Sequence, residues 1–330
     1  MPSDRARGGD VVRRRTLLAA TAALAIRPAL AQSWPTQPIR LVVPYAAGGP
    51  TDVAARLLAE ALSATLPQRV VVENRTGAGT VVGTGAVANG PRDGHTFLVA
   101  TVAHIVNPVL LANLPFDPVT DFCGVALMGT VPQVVLVNRD IPARTFPELL
   151  ALFRSRPGGL AYGSAGNGSA QHLAAELLKR QAGLDVVHVP YRGAAPAVAD
   201  MLAGQVAMVI DSAATAIPMA RSGQARALAV TGPSRLPQLP DVPTVAEALP
   251  GYQAYTWNAL LARAGTAPEA IVRMNEATNA ALARPELRGR LEELGVSVVQ
   301  DSTPTSVDAF VRAEADKWQR VLREGAVRAD

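Results

Sequence analysis

A glycine-rich turn between an apolar strand and an amphipathic helix constrains this chain most. The turn reads PYAAGGPTD and covers residues 44–52. The run Ile39–Val43 before it has the length and composition of a buried parallel strand. Apolar residues after it recur at helical spacing from Val53 to Leu66. This order of strand, turn and helix predicts an α/β fold in which parallel strands alternate with helices.

The same turn has the properties of an anion-binding site. Thr51 is the predicted N-cap of the helix, and Asp52 is a carboxylate in its first turn. Gly48 and Gly49 lack the Cβ atoms that would keep a ligand away from the backbone. Because the first N–H groups of a helix carry a partial positive charge, a carboxylate or phosphate would bind here without a basic side chain. A plain strand-to-helix turn is the alternative interpretation.

A second turn of the same kind follows the predicted strand Leu160–Tyr162. It reads GSAGNGS over residues 163–169 and precedes a predicted helix at 170–181. Ser169 is the expected N-cap of that helix, while Ser164 and Asn167 offer donors and acceptors to a ligand. Two anion-receptive helix starts on two α/β lobes indicate a clamp for a carboxylate.

Two long apolar strands suggest how the lobes are connected. The stretch at 125–137 is longer than an average strand and suits a strand that crosses between domains. A second apolar strand at 225–231 is the candidate for the return crossing. We therefore predict one lobe from residues 32–132 and 231–330 and a second lobe from residues 133–230.

Four side chains follow predicted strands and are further pocket candidates. Thr101 and His104 come after the third strand, beside the first turn if the sheet is doubly wound. Tyr191 and Asp211 end two strands of the middle region, where they would contact a ligand. The alternatives are a satisfied histidine away from the ligand, a tyrosine that packs the domain edge and an aspartate that caps a helix.

Composition separates an export segment from a neutral mature chain. Residues 1–31 combine six arginines, two aspartates, an apolar run at 17–26 and a small-residue cleavage motif at 29–31. This pattern predicts a signal peptide, cleaved near Ala31, for either the secretory or the twin-arginine route. The remaining 25 basic and 25 acidic residues balance, so nucleic acid is not an expected partner.

Two enzymatic interpretations compete with binding alone. The run GAGTVVG at 77–83 resembles a dinucleotide fingerprint, but its third glycine is one position late and no acidic residue follows at the required distance. Ser164 suggests a hydrolase, but Tyr162 stands where the nucleophile elbow needs its first glycine. A single cysteine and no ligand-spaced histidine cluster leave no expectation of a metal.

Six segments together resemble the Bug-type periplasmic solute receptors of tripartite tricarboxylate transporters over nearly the whole mature chain. These segments are PYAAGGPTDVAAR at 44–56, VVENRTGAGTVVG at 71–83, DGHTFL at 93–98, YGSAGNGSAQHLAAEL at 162–177, HVPYRGAAPAVADMLAGQV at 188–206 and ALAVTGPSRLPQLPDVPTVAEALPGY at 227–252. The resemblance implies a two-lobed type II periplasmic-binding-protein fold, each lobe a mainly parallel sheet flanked by helices. It places the carboxylate contacts in the segments 46–52 and 164–169.

The resulting expectation is a monomeric, non-enzymatic periplasmic receptor without cofactor or metal. It would pass a small carboxylate to a tripartite tricarboxylate-type permease, with a sensor for a membrane signalling protein or an exported hydrolase as alternatives. The residues expected at the ligand are Tyr45, Ala46, Ala47, Gly48, Gly49, Asp52, Thr101, His104, Ser164, Ala165, Asn167, Gly168, Ser169, Tyr191 and Asp211.

Overall fold

The computed structural model describes residues 34–111, 113–191 and 193–324, and the expected signal peptide lies outside these ranges. The strands are β1 (Ile39–Val43), β2 (Val70–Asn74), β3 (Thr96–Ala100), β4 (Phe122–Val137), β5 (Ala161–Ser164), β6 (Val187–Pro190), β7 (Met208–Ser212), β8 (Arg226–Val230), β9 (Tyr255–Arg263) and β10 (Ser297–Val298). The helices are α1 (Pro50–Ser63), α2 (Val81–Ala88), α3 (Val102–Leu110), α4 (Phe146–Ser155), α5 (Ala170–Ala182), α6 (Ala194–Leu202), α7 (Ala213–Arg221), α8 (Pro268–Leu282), α9 (Pro285–Glu293) and α10 (Pro304–Glu324).

The strands form two sheet regions with similar layouts. In the first region β1 lies between β2 and β3 and runs parallel to both, while β9 joins antiparallel to β3. In the second region β5 lies between β6 and β7 and runs parallel to both. The carboxyl ends of three parallel strands therefore meet at one edge of each region, which is where α/β proteins bind ligands.

One long strand, β4, belongs to both sheet regions. Residues 122–132 pair with β9, and residues 133–137 pair with β7. The last four of these residues also pair with β8. The expected crossing strand at 125–137 is thus confirmed, because a single strand carries the hydrogen-bond ladder from one region to the other. The strand β8 pairs with β4 in the second region, and it ends at Val230.

The last glycine of the GAGTVVG run, Gly83, allows close packing of α2 on the sheet. A Cβ atom on Gly83 would lie 2.6 Å from the carbonyl oxygen of Arg75 and 3.0 Å from Cα of Pro44. Only glycine lets the helix approach the end of β1 at this distance. Among the described residues, no helix is both long enough and apolar enough to cross a membrane.

Three local features differ from the sequence predictions. Helix α1 begins at Pro50 with Gly49 as its N-cap, so the prediction that Thr51 is the cap was wrong. Proline is favoured at the first helical position because its φ angle is already helical, and this shifts the cap to the preceding residue. The helices α3 and α7 were not predicted, and each of them contains an internal proline, which weakens the sequence signal for a helix.

Candidate functional site

The first loop, residues 44–49, lies beside the end of β3 as expected. The hydroxyl groups of Tyr45 and Thr101 are 2.5 Å apart and form a hydrogen bond. Thr101 is the N-cap of α3, and its side chain accepts a hydrogen bond from the N–H of Ala103. Burial raises the pKa of Tyr45, so its phenol stays protonated at neutral pH. Thr101 therefore positions both the loop and the start of α3.

A buried carboxylate holds the first loop in shape. Asp52 is 1% exposed and accepts hydrogen bonds from the N–H of Gly48 at 2.8 Å, from Arg56 at 2.9 Å and from Asn74 at 2.8 Å. Burial on its own raises the pKa of Asp52, but these three hydrogen bonds and the Arg56 charge outweigh it and lower the pKa. The Asn74 amide also donates to the Tyr45 carbonyl at 3.0 Å. Both oxygens of Asp52 are thus committed to the loop.

Two backbone donors of the first loop have no partner in the described chain. Ala46 and Ala47 are exposed, and no acceptor within the described residues bonds to their N–H groups. Gly48 has a φ angle of 84°, which side-chain-bearing residues rarely adopt, and a Cβ atom there would meet nothing within 4 Å. The loop therefore presents two free donors next to a backbone position that is open for close approach.

The second loop, residues 164–169, is held by its own side chains. Ser169 caps α5 as expected and accepts a hydrogen bond from the N–H of His172 at 3.3 Å. Ser164 is fully buried, and its hydroxyl oxygen accepts from the N–H of Gly166 at 3.1 Å. No acceptor in the described chain bonds to the N–H groups of Ala165 and Asn167. This loop also offers two free backbone donors at a helix start.

Helix α3 links the two loops. Its N-terminal end is bonded to the first loop through Thr101. At its other end Leu110 packs against Gly168 so closely that a Cβ atom on this glycine would overlap the leucine. With nine residues, α3 spans roughly 13 Å. This helix therefore contacts the first loop at one end and the second loop at the other.

The two candidates of the middle region are both engaged by side chains of their own lobe. The hydroxyl of Tyr191 donates to Asp200 at 2.6 Å, and this bond, with burial, raises the pKa of the tyrosine to about 12. Asp211 is 2% exposed and accepts from Gln171 and Thr215, each at 2.5 Å. Burial raises the pKa of Asp211 although these bonds oppose the shift. The carboxylate of Asp211 is thus fixed between α5 and α7.

His104 has a structural contact that the sequence did not reveal. It lies inside α3 and not at a strand end, is 2% exposed and bonds through Nε2 to the carbonyl oxygen of Pro118 at 2.7 Å. Its ring packs edge-on against Phe122. Burial lowers its pKa to about 4 although the Pro118 bond and the Asp117 charge oppose the shift.

Three residues near the loops were missed by sequence reasoning. Asn74 supports the first loop, Gln171 holds Asp211, and His188 lies 2.7 Å from the Ser164 hydroxyl through its Nε2 atom. The partner of Ser164 is thus His188 from the next strand and not the sequence neighbour His172. Asn74 could have been found by pairing β2 with β1, because residues at adjacent strand ends lie side by side. His188 lies opposite Tyr162 in the pairing of β6 with β5, two residues before the level of Ser164, so strand ends alone do not identify it.

Two sheet regions joined by a shared strand, each with a loop of free backbone donors at its carboxyl-terminal edge, define a two-lobed solute-binding protein. The family model described as "Tripartite tricarboxylate transporter family receptor" matches residues 54–327. This chain belongs to that family of receptors. It is 37% identical to the Bordetella pertussis protein BugT over 308 residues, which cover 92% of this chain and 94% of BugT. The resemblance to Bug-type receptors is thereby confirmed.

Solved structures of similar proteins agree with this assignment. "R. palustris Rpa4515 with adipate" is 34% identical, with a TM-score of 0.79 over 89% of this chain and 99% of that chain. "MatC (Rpa3494) from Rhodopseudomonas palustris with bound malate" is 33% identical, with a TM-score of 0.76 over 88% and 100% of the two chains. The expected two-lobed periplasmic-binding-protein fold is thus confirmed.

Proposed function

We propose that this protein captures a small dicarboxylate between its two lobes and delivers it to a permease of the tripartite tricarboxylate type. The observation that supports this most is the pair of loops at 46–52 and 164–169, which present free backbone N–H groups at two helix starts. Such groups stabilise a carboxylate through the local helix dipole. Two such helix starts, one on each side of the ligand, suit an acid with a carboxylate at each end. They also suit a single carboxylate that is bound from both sides.

The ligand class is supported by the relatives. One similar structure is described with adipate and another with malate, and both of these ligands are dicarboxylates. In this chain Arg56 neutralises the charge of the Asp52 carboxylate and Asn74 adds a hydrogen bond, so Asp52 does not leave an unpaired charge to repel an acid. Asp211 is paired with the neutral donors Gln171 and Thr215 in the second sheet region. We assign ligand selectivity to this second region.

Asp52 and Ser164 act in this proposal as supports and not as direct contacts. The acid is held by Ala46, Ala47, Ala165 and Asn167 through their N–H groups, with Gly48 giving access to the backbone. Tyr45 and Thr101 set the position of the first loop. His104 has no part in binding, since its ring lies against Phe122 and Pro118.

Closure of the lobes is part of the proposal. We place the boundary between the lobes at residues 132/133, where β4 changes its partner from β9 to β7. The second boundary lies near residue 231, where the Thr231 N–H donates to the Gln133 carbonyl oxygen. Lobes joined there would rotate as rigid bodies around the ligand. The protein acts as a monomer without metal or cofactor. Within the described residues, no three His, Cys, Asp or Glu side chains are grouped to hold a metal.

A hydrolase centred on Ser164 is disfavoured by the burial of this residue. Its side chain has no exposed area, so a substrate carbonyl has no path to the hydroxyl. A ligand sensor remains the second candidate, because a sensor and a receptor use the same closure. Deleting the gene separates the two roles. A receptor is required for uptake of the labelled acid even when the permease is expressed from a constitutive promoter, whereas a sensor is not.

Export to the periplasm rests on residues 1–31. We propose cleavage after Ala31, so that the mature chain begins at Gln32. N-terminal sequencing of the protein from a periplasmic extract tests this directly. A chain that begins at Met1 and fractionates with the cytoplasm contradicts the proposal.

Thermal unfolding across a panel of organic acids and neutral sugars tests the binding function. A ligand at 100 times its Kd stabilises the folded state by about 2.7 kcal/mol, and this raises the melting temperature by several degrees. We expect dicarboxylates to raise it and sugars to leave it unchanged. Stabilisation by a sugar together with no effect of any acid contradicts the proposed ligand class.

A further inference from the structure

Two histidine rings are stacked beneath the second loop. The rings of His172 and His188 are 4.1 Å apart at their centroids and nearly parallel, with an angle of 7°. Tyr162 stacks on His188 at 4.8 Å and 17°. Since the chain has four histidines, half of all its histidine side chains lie in this one stack. Sequence analysis assigned neither ring to the ligand site.

Each ring is bonded to a different part of the loop. His172 accepts a hydrogen bond at Nδ1 from the backbone N–H of Gly168 at 3.0 Å. His188 bonds through Nε2 to the hydroxyl of Ser164 at 2.7 Å, and that hydroxyl oxygen accepts from the N–H of Gly166. Gly168 and Gly166 have φ angles of 73° and 118°. The rings therefore hold the loop at its two points of left-handed backbone.

The stack itself is anchored away from the loop. The Tyr162 hydroxyl donates to Glu176 at 2.7 Å, and Lys179 pairs with the same carboxylate at 2.7 Å. His172 is 3% exposed, and burial together with the neighbouring His188 lowers its pKa to about 4. A neutral His172 has a free lone pair at Nδ1 only when its proton is on Nε2. The bond from Gly168 thus selects one tautomer of this ring.

The donors assigned to the carboxylate lie between these supports. Ala165 and Asn167 alternate with Gly166 and Gly168 along the loop, so fixing the glycine N–H groups inward leaves the other two N–H groups free. We propose that His172 and His188 are positioning residues for carboxylate binding, each holding one glycine turn of the second loop through a single ring nitrogen. This inference rests on the proposed function of the loop.

Side-chain reach provides a matched test. The Oδ1 atom of asparagine occupies nearly the place of Nδ1 in histidine, and the Oε1 or Nε2 atom of glutamine occupies nearly the place of Nε2. His172→Asn therefore keeps the acceptor for Gly168, whereas His172→Gln removes it. The pattern is reversed at the other ring, where His188→Gln keeps the Ser164 bond and His188→Asn removes it. All four variants lose ring stacking, so each pair differs mainly in the one hydrogen bond.

The first measurement is amide hydrogen exchange of Gly166 and Gly168 by nuclear magnetic resonance, without added acid. We expect exchange of Gly168 to be about tenfold faster in His172→Gln than in His172→Asn, which corresponds to the loss of one neutral hydrogen bond. Exchange of Gly166 should be faster in His188→Asn than in His188→Gln, because the Ser164 hydroxyl loses its orientation. Equal rates within both pairs overturn the inference.

The second measurement is the affinity for adipate and for malate by calorimetry. The loss of one neutral hydrogen bond corresponds to about two-fold to tenfold in Kd, so the mismatched variant of each pair should bind the acid more weakly by that factor. Equal affinities within each pair, at unequal exchange rates, show a loop support without a role in binding and overturn the positioning role. A wild-type protein that binds neither acid contradicts the proposed ligand class, while the exchange rates still decide whether the rings hold the loop.

Discussion

At Gly48 both the backbone conformation and the access of the ligand depend on the absence of a side chain. Its φ angle is 84°, and the space beside it is open. We expect Gly48→Val to lower ligand affinity by at least about a hundredfold, because the branched side chain projects into the space of the carboxylate and the φ angle is strained by about 1–2 kcal/mol. Calorimetry with the best acid of the panel measures the loss.

Gly183 provides the matched control for this substitution. It is the C-cap residue of α5, has a φ angle of 61° and has no atom within 4 Å of the place a Cβ would take. Gly183→Val should therefore lower the melting temperature about as much as Gly48→Val and leave affinity unchanged. Equal affinities for both variants would refute the backbone clamp.

His104 should make the protein sensitive to acid. Its pKa is about 4 in the folded state against 6.5 in its ordinary environment, so the unfolded chain binds more protons between these values. The contribution of His104 to the free energy of unfolding is fully present above pH 6.5. It decreases as the pH falls towards 4, by up to about 1.4 kcal/mol per pH unit. His104→Gln keeps a donor near Pro118 but does not titrate.

Urea unfolding of wild type and His104→Gln at pH 7, 6 and 5 measures this contribution. The difference in the free energy of unfolding between wild type and His104→Gln should become smaller as the pH falls. His172 is unchanged in both proteins, so its own lowered pKa affects them equally. A constant difference across the three pH values would show that His104 does not contribute to acid sensitivity.

The sequence predicts the two loops more reliably than the contacts of the side chains around them. Glycine and serine positions at 48, 168 and 169 follow from local backbone requirements, which the chain encodes over a few residues. The role of His188 depends on β6 lying beside β5, and the contact of His104 depends on the path of residues 116–122. Such contacts are set by tertiary packing and leave no local pattern.

At the scale of elements, the start of α1 depends on one carboxylate. Asp52 joins Gly48, Arg56 and Asn74, and an amide in its place cannot accept all of these hydrogen bonds. We expect Asp52→Asn to lower the free energy of unfolding by about 1–3 kcal/mol. It should also weaken acid binding, since the Gly48 N–H loses its fixed direction.

Arg56→Met removes the ion pair of Asp52 but keeps its hydrogen bonds to Gly48 and Asn74. The Asp52 side chain is 2% exposed but the Arg56 side chain is 51% exposed, so solvent screens the Arg56 charge and lowers the contribution of the pair towards the roughly 1 kcal/mol of surface pairs. Urea denaturation of both variants should therefore show the larger loss in Asp52→Asn. If Arg56→Met lowers the free energy of unfolding as much as Asp52→Asn does, the hydrogen bonds of Asp52 to the first loop do not account for its contribution to stability.

Among the elements, the strands followed more directly from the sequence than the helices. Most of the 16-residue β4 was visible as one apolar run, and the structure confirms that it joins both sheet regions. Helix α3 was missed, although it contacts both loops. Its internal proline and short length hide the helical period, and its stability comes from packing against α10.

At the scale of the molecule, closure should make the receptor more compact. Of the described strands, β4 alone pairs into both sheet regions, so few backbone bonds resist rotation of the lobes. A bound acid that contacts both loops favours the closed state by its differential affinity. Small-angle scattering should show a smaller radius of gyration with a saturating acid than with a sugar. The same radius in both solutions would count against closure.

Calorimetric titration of purified wild-type protein with dicarboxylates and with their neutral diamides tests the central claim most directly. Succinate, malate and adipate share their carbon skeletons with succinamide, malamide and adipamide, so each pair differs in charge at nearly constant shape. Charge-assisted bonds to backbone N–H groups are worth about 1.5–3 kcal/mol each. We predict that at least one acid binds with a stoichiometry of one and that its diamide binds about a hundredfold more weakly or not at all. Equal affinity for an acid and its diamide, or binding of none of the acids, would contradict capture of a carboxylate by the two loops.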